Sequence, residues 1–253
     1  MKRRDPPVPG SIPDVLGMFR NEVLFYREVA PVVGVRVPAC YRADENADGS
    51  TVLVLEDLSA WNPGADPVAA ASLLAGMHSR WEGRAAARWP WLRPVYAGDE
   101  LVARLYDQTW PDLATRPGLP ASVLAFGESA HGRVTEAERA IATAGPLTLV
   151  HGDASTQNMR TGPDGEVALL DWEDVSYMPG VLDLAWLLVS STDPARWDEV
   201  TAAYGRQDGL LRVLPSVLVQ GLFSLADTPA GTPEAAAWTQ RLDAACHRLR
   251  SVA

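Results

Sequence analysis

The sequence predicts an α+β protein of two unequal lobes around a cleft, with a short β-containing lobe over residues 1–60 and a mostly helical lobe over residues 61–253. Three observations lead there. Thr51-Val52-Leu53-Val54-Leu55 is a β-branched, apolar run of strand length, and Trp61-Asn62-Pro63-Gly64 breaks the chain just after it. From Pro67 onward apolar residues recur mostly at helical spacing. Within that helical stretch, two short apolar runs flank Gly162-Pro163-Asp164-Gly165, a strong hairpin signal. At 253 residues and 47% hydrophobic content the chain can bury a sizeable core.

Residues 1–13, rich in proline and basic side chains, read as an extended start or loop. Val15, Leu16, Phe19, Val23 and Tyr26 place a helix between Ile12 and Val32, ended by Pro31. The polar stretch Ala43 to Ser50 reads as a hairpin loop before a strand, Thr51 to Leu55, buried on both faces. Pro67 to Trp81 forms an amphipathic helix, and Leu101 to Ala144 two or three more, interrupted at Pro117-Gly118-Leu119-Pro120. Leu147 to Val150 is a strand running straight into His151-Gly152-Asp153. Val181 to Val189 and the chain after Trp197 are helical.

Composition excludes several classes. A formal net charge of −10 argues against a broad basic surface for nucleic acid. No apolar run of 18 residues appears, so no membrane span is expected. Lys2-Arg3-Arg4 is followed by Asp5-Pro6-Pro7 where a signal peptide needs an apolar stretch, and a cytoplasmic protein is expected. Cys40 and Cys246 lack metal-ligand spacing and read as free thiols. Lys2 is the single lysine among 22 basic residues.

The chemistry lies in residues 149–189. Asp153 ends one apolar strand, Asn158 follows five residues later, and Asp171 ends another. A two-residue Asp164-Gly165 turn would set Asn158 opposite Asp171 at a close, non-hydrogen-bonded position. A type I turn with Gly165 in a left-handed bulge would shift that pairing by one and require a further irregularity to reunite them. Oxygen ligands at such separation suit magnesium. Phosphoryl transfer needs a carboxylate to orient and deprotonate the attacking hydroxyl, and cations to neutralise the phosphates. Asp153 suits the first role, Asn158 and Asp171 the second. Their spacing matches the protein-kinase order of catalytic Asp, metal-binding Asn and second metal-binding Asp. A lone strand-end Asp is as often a turn cap, and Glu173 and Asp174 read either as outer support for a metal site or as solvated surface. His151, Asp153 and Ser155 crowd one loop without the strand-turn-helix elbow of a serine hydrolase. His78 and His131 read as helix residues.

His151-Gly152-Asp153-x4-Asn158, Leu170-Asp171-Trp172-Glu173 and Gly180-x2-Asp183-Leu184-Ala185 together resemble the aminoglycoside phosphotransferase and choline-kinase-like group of small-molecule kinases. The resemblance extends to Asn21-Glu22-x2-Phe25-Tyr26, Val54-Leu55-Glu56-Asp57-Leu58 and Leu74-Ala75-x2-His78, with a flavour of the ecdysteroid-kinase-like branch at Pro38-Ala39-Cys40-Tyr41. It implies a protein-kinase-like bilobal fold and transfer of the γ-phosphate of ATP, with Mg2+, to a hydroxyl of a small molecule. It further implies Asp153 as base, Asn158 and Asp171 as metal ligands, and His151 and Asp183 as supports of the catalytic loop. Glu22 would pair with an ATP-binding lysine, for which Lys2 stands at a plausible distance, and the backbone of Glu56 to Leu58 would form the hinge that holds adenine. The family begins with strands and a phosphate-covering loop that this sequence has no room for, so the N-terminal lobe is expected to be incomplete. A catalytically weak binding or scaffold protein is the alternative. Substrate and oligomeric state stay open.

Overall fold

The computed structural model describes residues 1–94 and 98–251. Part of the proline-rich start is a strand, β1 (Lys2–Arg4). Its alternating pattern sends the Lys2 and Arg4 side chains out of one face. The expected single helix after it is broken. Gly17, at φ +63°, takes a left-handed conformation that glycine accepts without strain, and separates α1 (Ile12–Val15) from α2 (Met18–Leu24). The last turn of α2 widens over Phe25–Val29, where the Ala30 amide donates five residues back to the Phe25 carbonyl at 2.9 Å.

The expected loop from Ala43 is strand as far as Glu45: β2 (Cys40–Glu45) and β3 (Thr51–Leu55) form a hairpin closed by Asn46 to Ser50. The polar tail of β2 is tolerated because β2 is an edge strand whose side chains reach water. β3 is central, with β1 and β2 antiparallel on either side. It is not buried on both faces. Thr51 and Leu53 point into the core while Val52 and Val54 are half-buried, the pattern of a sheet packed on one side by α2.

Beyond β4 (Asn62–Pro63), α3 (Pro67–Trp81) starts where the Asp66 carboxylate accepts from the Val68 and Ala69 amides. α4 (Ala85–Arg88), α5 (Asp99–Ala114), α6 (Ala121–Ala130) and α7 (Val134–Ala140) follow. β5 (Leu147–Val150) precedes the hairpin of β6 (Met159–Thr161) and β7 (Val167–Leu169), and β8 (Ser176–Pro179) returns to pair antiparallel with β5. The rest is α8 (Val181–Ser191), α9 (Trp197–Tyr204), α10 (Leu210–Asp227) and α11 (Pro233–Arg250). α10, with a mean hydropathy of 1.4, is the one described helix long and apolar enough by composition to cross a bilayer. Its apolarity is spent in the core instead, where Val213, Val217 and Leu218 pack in the middle of the helical lobe.

The β6–β7 register is the bulged one. Met159 pairs with Leu169 and Thr161 with Val167, and Gly165 sits at φ +78°. Asn158 therefore lies opposite Leu170, whose amide donates to the Asn158 carbonyl at 2.8 Å, and not opposite Asp171. An irregularity follows at Asp171, at φ +59° the only non-glycine residue with a left-handed backbone among those described. The ladder ends there. The next residue, Trp172, is fully buried and stacks on Phe25 at 4.0 Å between ring centroids, 9° from parallel. This contact ties the helix of the small lobe to the end of β7. Replacing Trp172 with Ala should cost about 3–5 kcal/mol of unfolding free energy, the usual range for deleting a buried aromatic, and urea denaturation measures it directly.

Candidate active site

β5 delivers the chain to a loop that Asp183 holds in place. The amides of His151 and Gly152 donate to the two Asp183 carboxylate oxygens at 2.7 and 2.9 Å. Gly152 sits at φ +88°, and a Cβ there would stand 2.3 Å from the Asp174 carbonyl oxygen, so the loop accepts only glycine at this point. Asp183 lies in the first turn of α8, fully buried, and His78 Nε2 donates to it at 3.0 Å. Burial alone would raise its pKa. The His78 hydrogen bond, helped by the neighbouring imidazoles and the loop amides, outweighs burial and holds the carboxyl below its ordinary value.

His151 fixes the other side of the loop. Its Nδ1 accepts from the Asp153 amide at 3.2 Å, and its Nε2 donates to the Leu170 carbonyl at 2.8 Å, just before Asp171. The Asp153 carboxylate is then oriented at both oxygens. Asn158 Nδ2 donates to Oδ2 at 2.7 Å, and the Trp186 indole N–H donates to Oδ1. Asp153 and Trp186 both line a cleft of about 340 Å³ between α5, α8 and α10.

A second group gathers around Lys2. Its Nζ lies 2.7 Å from Glu22, 2.6 Å from Asp171 and 3.7 Å from Glu173. Burial alone would lower the Lys2 pKa, but Glu22 and Asp171 more than offset it, and the ammonium is held above its ordinary value. Burial pushes the Glu22 carboxyl up against the pull of Lys2, with Asp171 and Glu173 adding to the rise. Arg4, on the same face of β1 as Lys2, pairs with Glu173, lies 4.0 Å from Asp171 and stacks over the Phe19 ring at 4.4 Å.

Seven of the residues singled out from sequence thus fall into two clusters: Asp153 with Asn158, His151 and Asp183, and Lys2 with Glu22 and Asp171. No hydrogen bond joins Asn158 to Asp171 among the described residues; the Asn158 amide turns to Asp153 instead, as the shifted register requires. The donors present are hard oxygens, the set a magnesium ion takes, and carboxylate oxygens of Glu22, Asp171 and Glu173 lie within 4.8 Å of one another. In the segment expected to form the hinge, the Glu56 side chain is spent internally, clamping Arg36 at 2.6 and 2.7 Å and accepting from the Ala39 amide at 2.9 Å. Leu58 is buried.

Sequence reasoning missed three participants and misplaced a fourth. His78 is more than a helix residue: it bridges Asp183 and the Tyr204 hydroxyl, 2.8 Å from its Nδ1, close against Gly180 where a Cβ would clash with the ring. Trp186 stands three residues after Asp183, which on a helix is the same face. Arg4 stands two residues after Lys2, which on a strand is the same face. Those spacings were the available signals. Asp174 is not plain solvated surface: burial pushes its carboxyl up while Arg93, 3.6 Å away, opposes the rise.

Because the folded Asp183 has a depressed pKa, it adds stability above the ordinary carboxylate pKa of about 3.9, and that contribution disappears as pH falls through the folded value. Asp183→Asn should therefore be markedly less stable than the wild type at neutral pH. The gap should narrow steadily below about pH 4, as followed by urea denaturation at a series of pH values.

Residues 12–218 match the model of the phosphotransferase enzyme family. No curated protein matches the sequence. Among solved structures, the fold is similar to a microcompartment-associated aminopropanol kinase (TM-score 0.59, 16% identity, covering 99% of this chain and 86% of that one). It is also similar to an aminoglycoside phosphotransferase from Alicyclobacillus acidocaldarius (TM-score 0.53, 17% identity, 99% and 86% covered). A third likeness is the choline kinase LicA of Streptococcus pneumoniae, solved in complex with AMP (TM-score 0.57, 17% identity, 90% and 79% covered).

Proposed function

The chain belongs to the phosphotransferase enzyme family, and from that footing we propose that it transfers the γ-phosphate of ATP, with magnesium, to a hydroxyl of a small molecule. One observation carries the reading: Asp153 opens on a cleft with both carboxylate oxygens already oriented, from a loop whose backbone is pinned by a buried carboxylate. Orientation of that kind is what phosphoryl transfer asks of a protein, since the reaction needs positioning more than covalent help.

In this reading Asp153 accepts the proton of the substrate hydroxyl as the oxygen attacks. Asn158 and Trp186 hold the carboxylate so that its remaining lone pairs face the cleft. Asn158 and Asp171, with Glu173 at the edge, would hold magnesium, which when bound neutralises phosphate charge. Lys2, kept cationic by Glu22, supplies a positive point beside Asp171 for phosphate oxygens. The backbone between Glu56 and Leu58 receives adenine. That the similar choline kinase LicA was solved in complex with AMP supports a nucleotide ligand here.

A ligand at a hundredfold excess over its Kd stabilises the folded state by about 2.7 kcal/mol, which for a chain this long is a rise in Tm of roughly 5–10 °C. ATP with magnesium should produce such a rise in the wild type and none in Asp171→Ala, read by a thermal melt; an equal rise in both would remove Asp171 from the site. Asp153→Asn should keep the rise and lose turnover. Trp186→Phe should lower kcat about tenfold or more, the worth of a hydrogen bond to a charged group, with the nucleotide-induced rise unchanged.

A further inference from the structure

Resting on the phosphotransferase reading, we propose that the acceptor is a compact, uncharged alcohol with a predominantly apolar body, neither a polycation nor a quaternary ammonium compound. The cleft that opens on Asp153 has about 340 Å³, near the lower end of the roughly 300–1,000 Å³ common for ligand pockets. Much of its wall is aliphatic or aromatic: α5 presents Leu101, Val102 and Leu105, and Met178, Leu182 and Phe223 also line it.

The acidic groups lining the cleft decide against a cation, because those inside it are already committed. Asp174 faces Arg93 at 3.6 Å. Glu138 is half-buried and accepts from the Ser216 hydroxyl at 2.6 Å, and burial pushes its carboxyl up, toward the neutral form. Asp153 takes the hydrogen bonds of Asn158 and Trp186 and is reserved for the reacting hydroxyl. Asp227 lies at the exposed end of α10, on the rim. A cation deep in this cleft would lose its water without meeting an uncommitted carboxylate, an unfavourable exchange. An apolar body gains by the same desolvation. One edge is polar, since Gln220 and Ser224 stand four residues apart on α10 and both line the cleft, so a further neutral oxygen on the substrate can be accommodated there.

Saturation-transfer NMR on the full chain, with 2-phenylethanol, cyclohexylmethanol, choline and kanamycin as probes, tests this. The two neutral alcohols should receive saturation, and the signal should vanish in Val102→Trp and, independently, in Leu105→Trp, each with the wild-type melting temperature confirming the fold. Choline and kanamycin should receive little or none. In a coupled assay with ATP, the better alcohol should exceed both cations in kcat/KM by about tenfold or more, the scale on which a mismatched pocket discriminates. Stronger transfer from choline or kanamycin, no transfer from either alcohol, or alcohol signals that survive both tryptophan variants would each overturn the proposal. The magnesium-ATP melt on the same samples reads the nucleotide site separately. Its absence sinks the phosphotransferase reading, whereas its presence beside a failed alcohol series sinks only the acceptor class.

Discussion

Asp183 carries its charge where water does not reach, and a buried carboxylate persists only when donors are fixed around it. The donors are two amides of the loop after β5 and an imidazole from α3, while the carboxylate itself comes from the first turn of α8. Elements distant in sequence are thereby held to one point. Removing any of them would strand either a charge or a donor, and stranding costs more than the bond was worth. The position of Asp153 follows from this constraint, since it is the next residue after the two pinned amides. Trp186 follows too, one helical turn beyond Asp183, with its indole on the Asp153 carboxylate.

The second organising device is electrostatic and sits where the two lobes meet. Glu22 comes from α2, Lys2 and Arg4 from β1, and Asp171 and Glu173 from the segment after β7. Three carboxylates face two cations there, so the cluster keeps an excess of negative charge. Behind it, the stacked pair of Phe25 and Trp172 supplies an apolar contact that water and salt do not screen. Packing sets the distance between lobes, and the ion pairs aim side chains within it.

Most of the helical lobe was legible because its signals are local. Pro67 and Trp81 bound α3 as the apolar spacing indicates, and the strand over Leu147 to Val150 ends where His151-Gly152-Asp153 starts. The misses have a common cause: each depends on what packs against the element. Thr51 to Leu55 has the composition of a strand buried twice over, yet only one face of its sheet is covered, which no property of the strand itself reveals. The helix after Ile12 keeps its apolar period across Gly17, where one backbone angle breaks it. The hairpin allowed two registers, and the choice between them fell on a bulge at Gly165, which leaves Asn158 opposite Leu170 and not opposite Asp171. The candidate site residues stand out by their spacing, but the partners that the structure gives them, His78 and Trp186 above all, become visible only when distant segments are brought together.

The solitary lysine has a consequence for covalent chemistry. In this sequence every side-chain amine is Lys2, and its ammonium is ion-paired and kept protonated by its neighbours. Acylating reagents attack the neutral amine, so Lys2, ion-paired in the folded chain, is a poor ε-amino nucleophile. Random side-chain amine coupling, which on a typical protein scatters labels over many lysines, has one position to reach in this sequence. An acyl group found on Lys2 would mark molecules in which the edge strand had come away from Glu22 and Asp171. The chain thus carries its own single-lysine reporter of whether β1 is docked against Glu22 and Asp171.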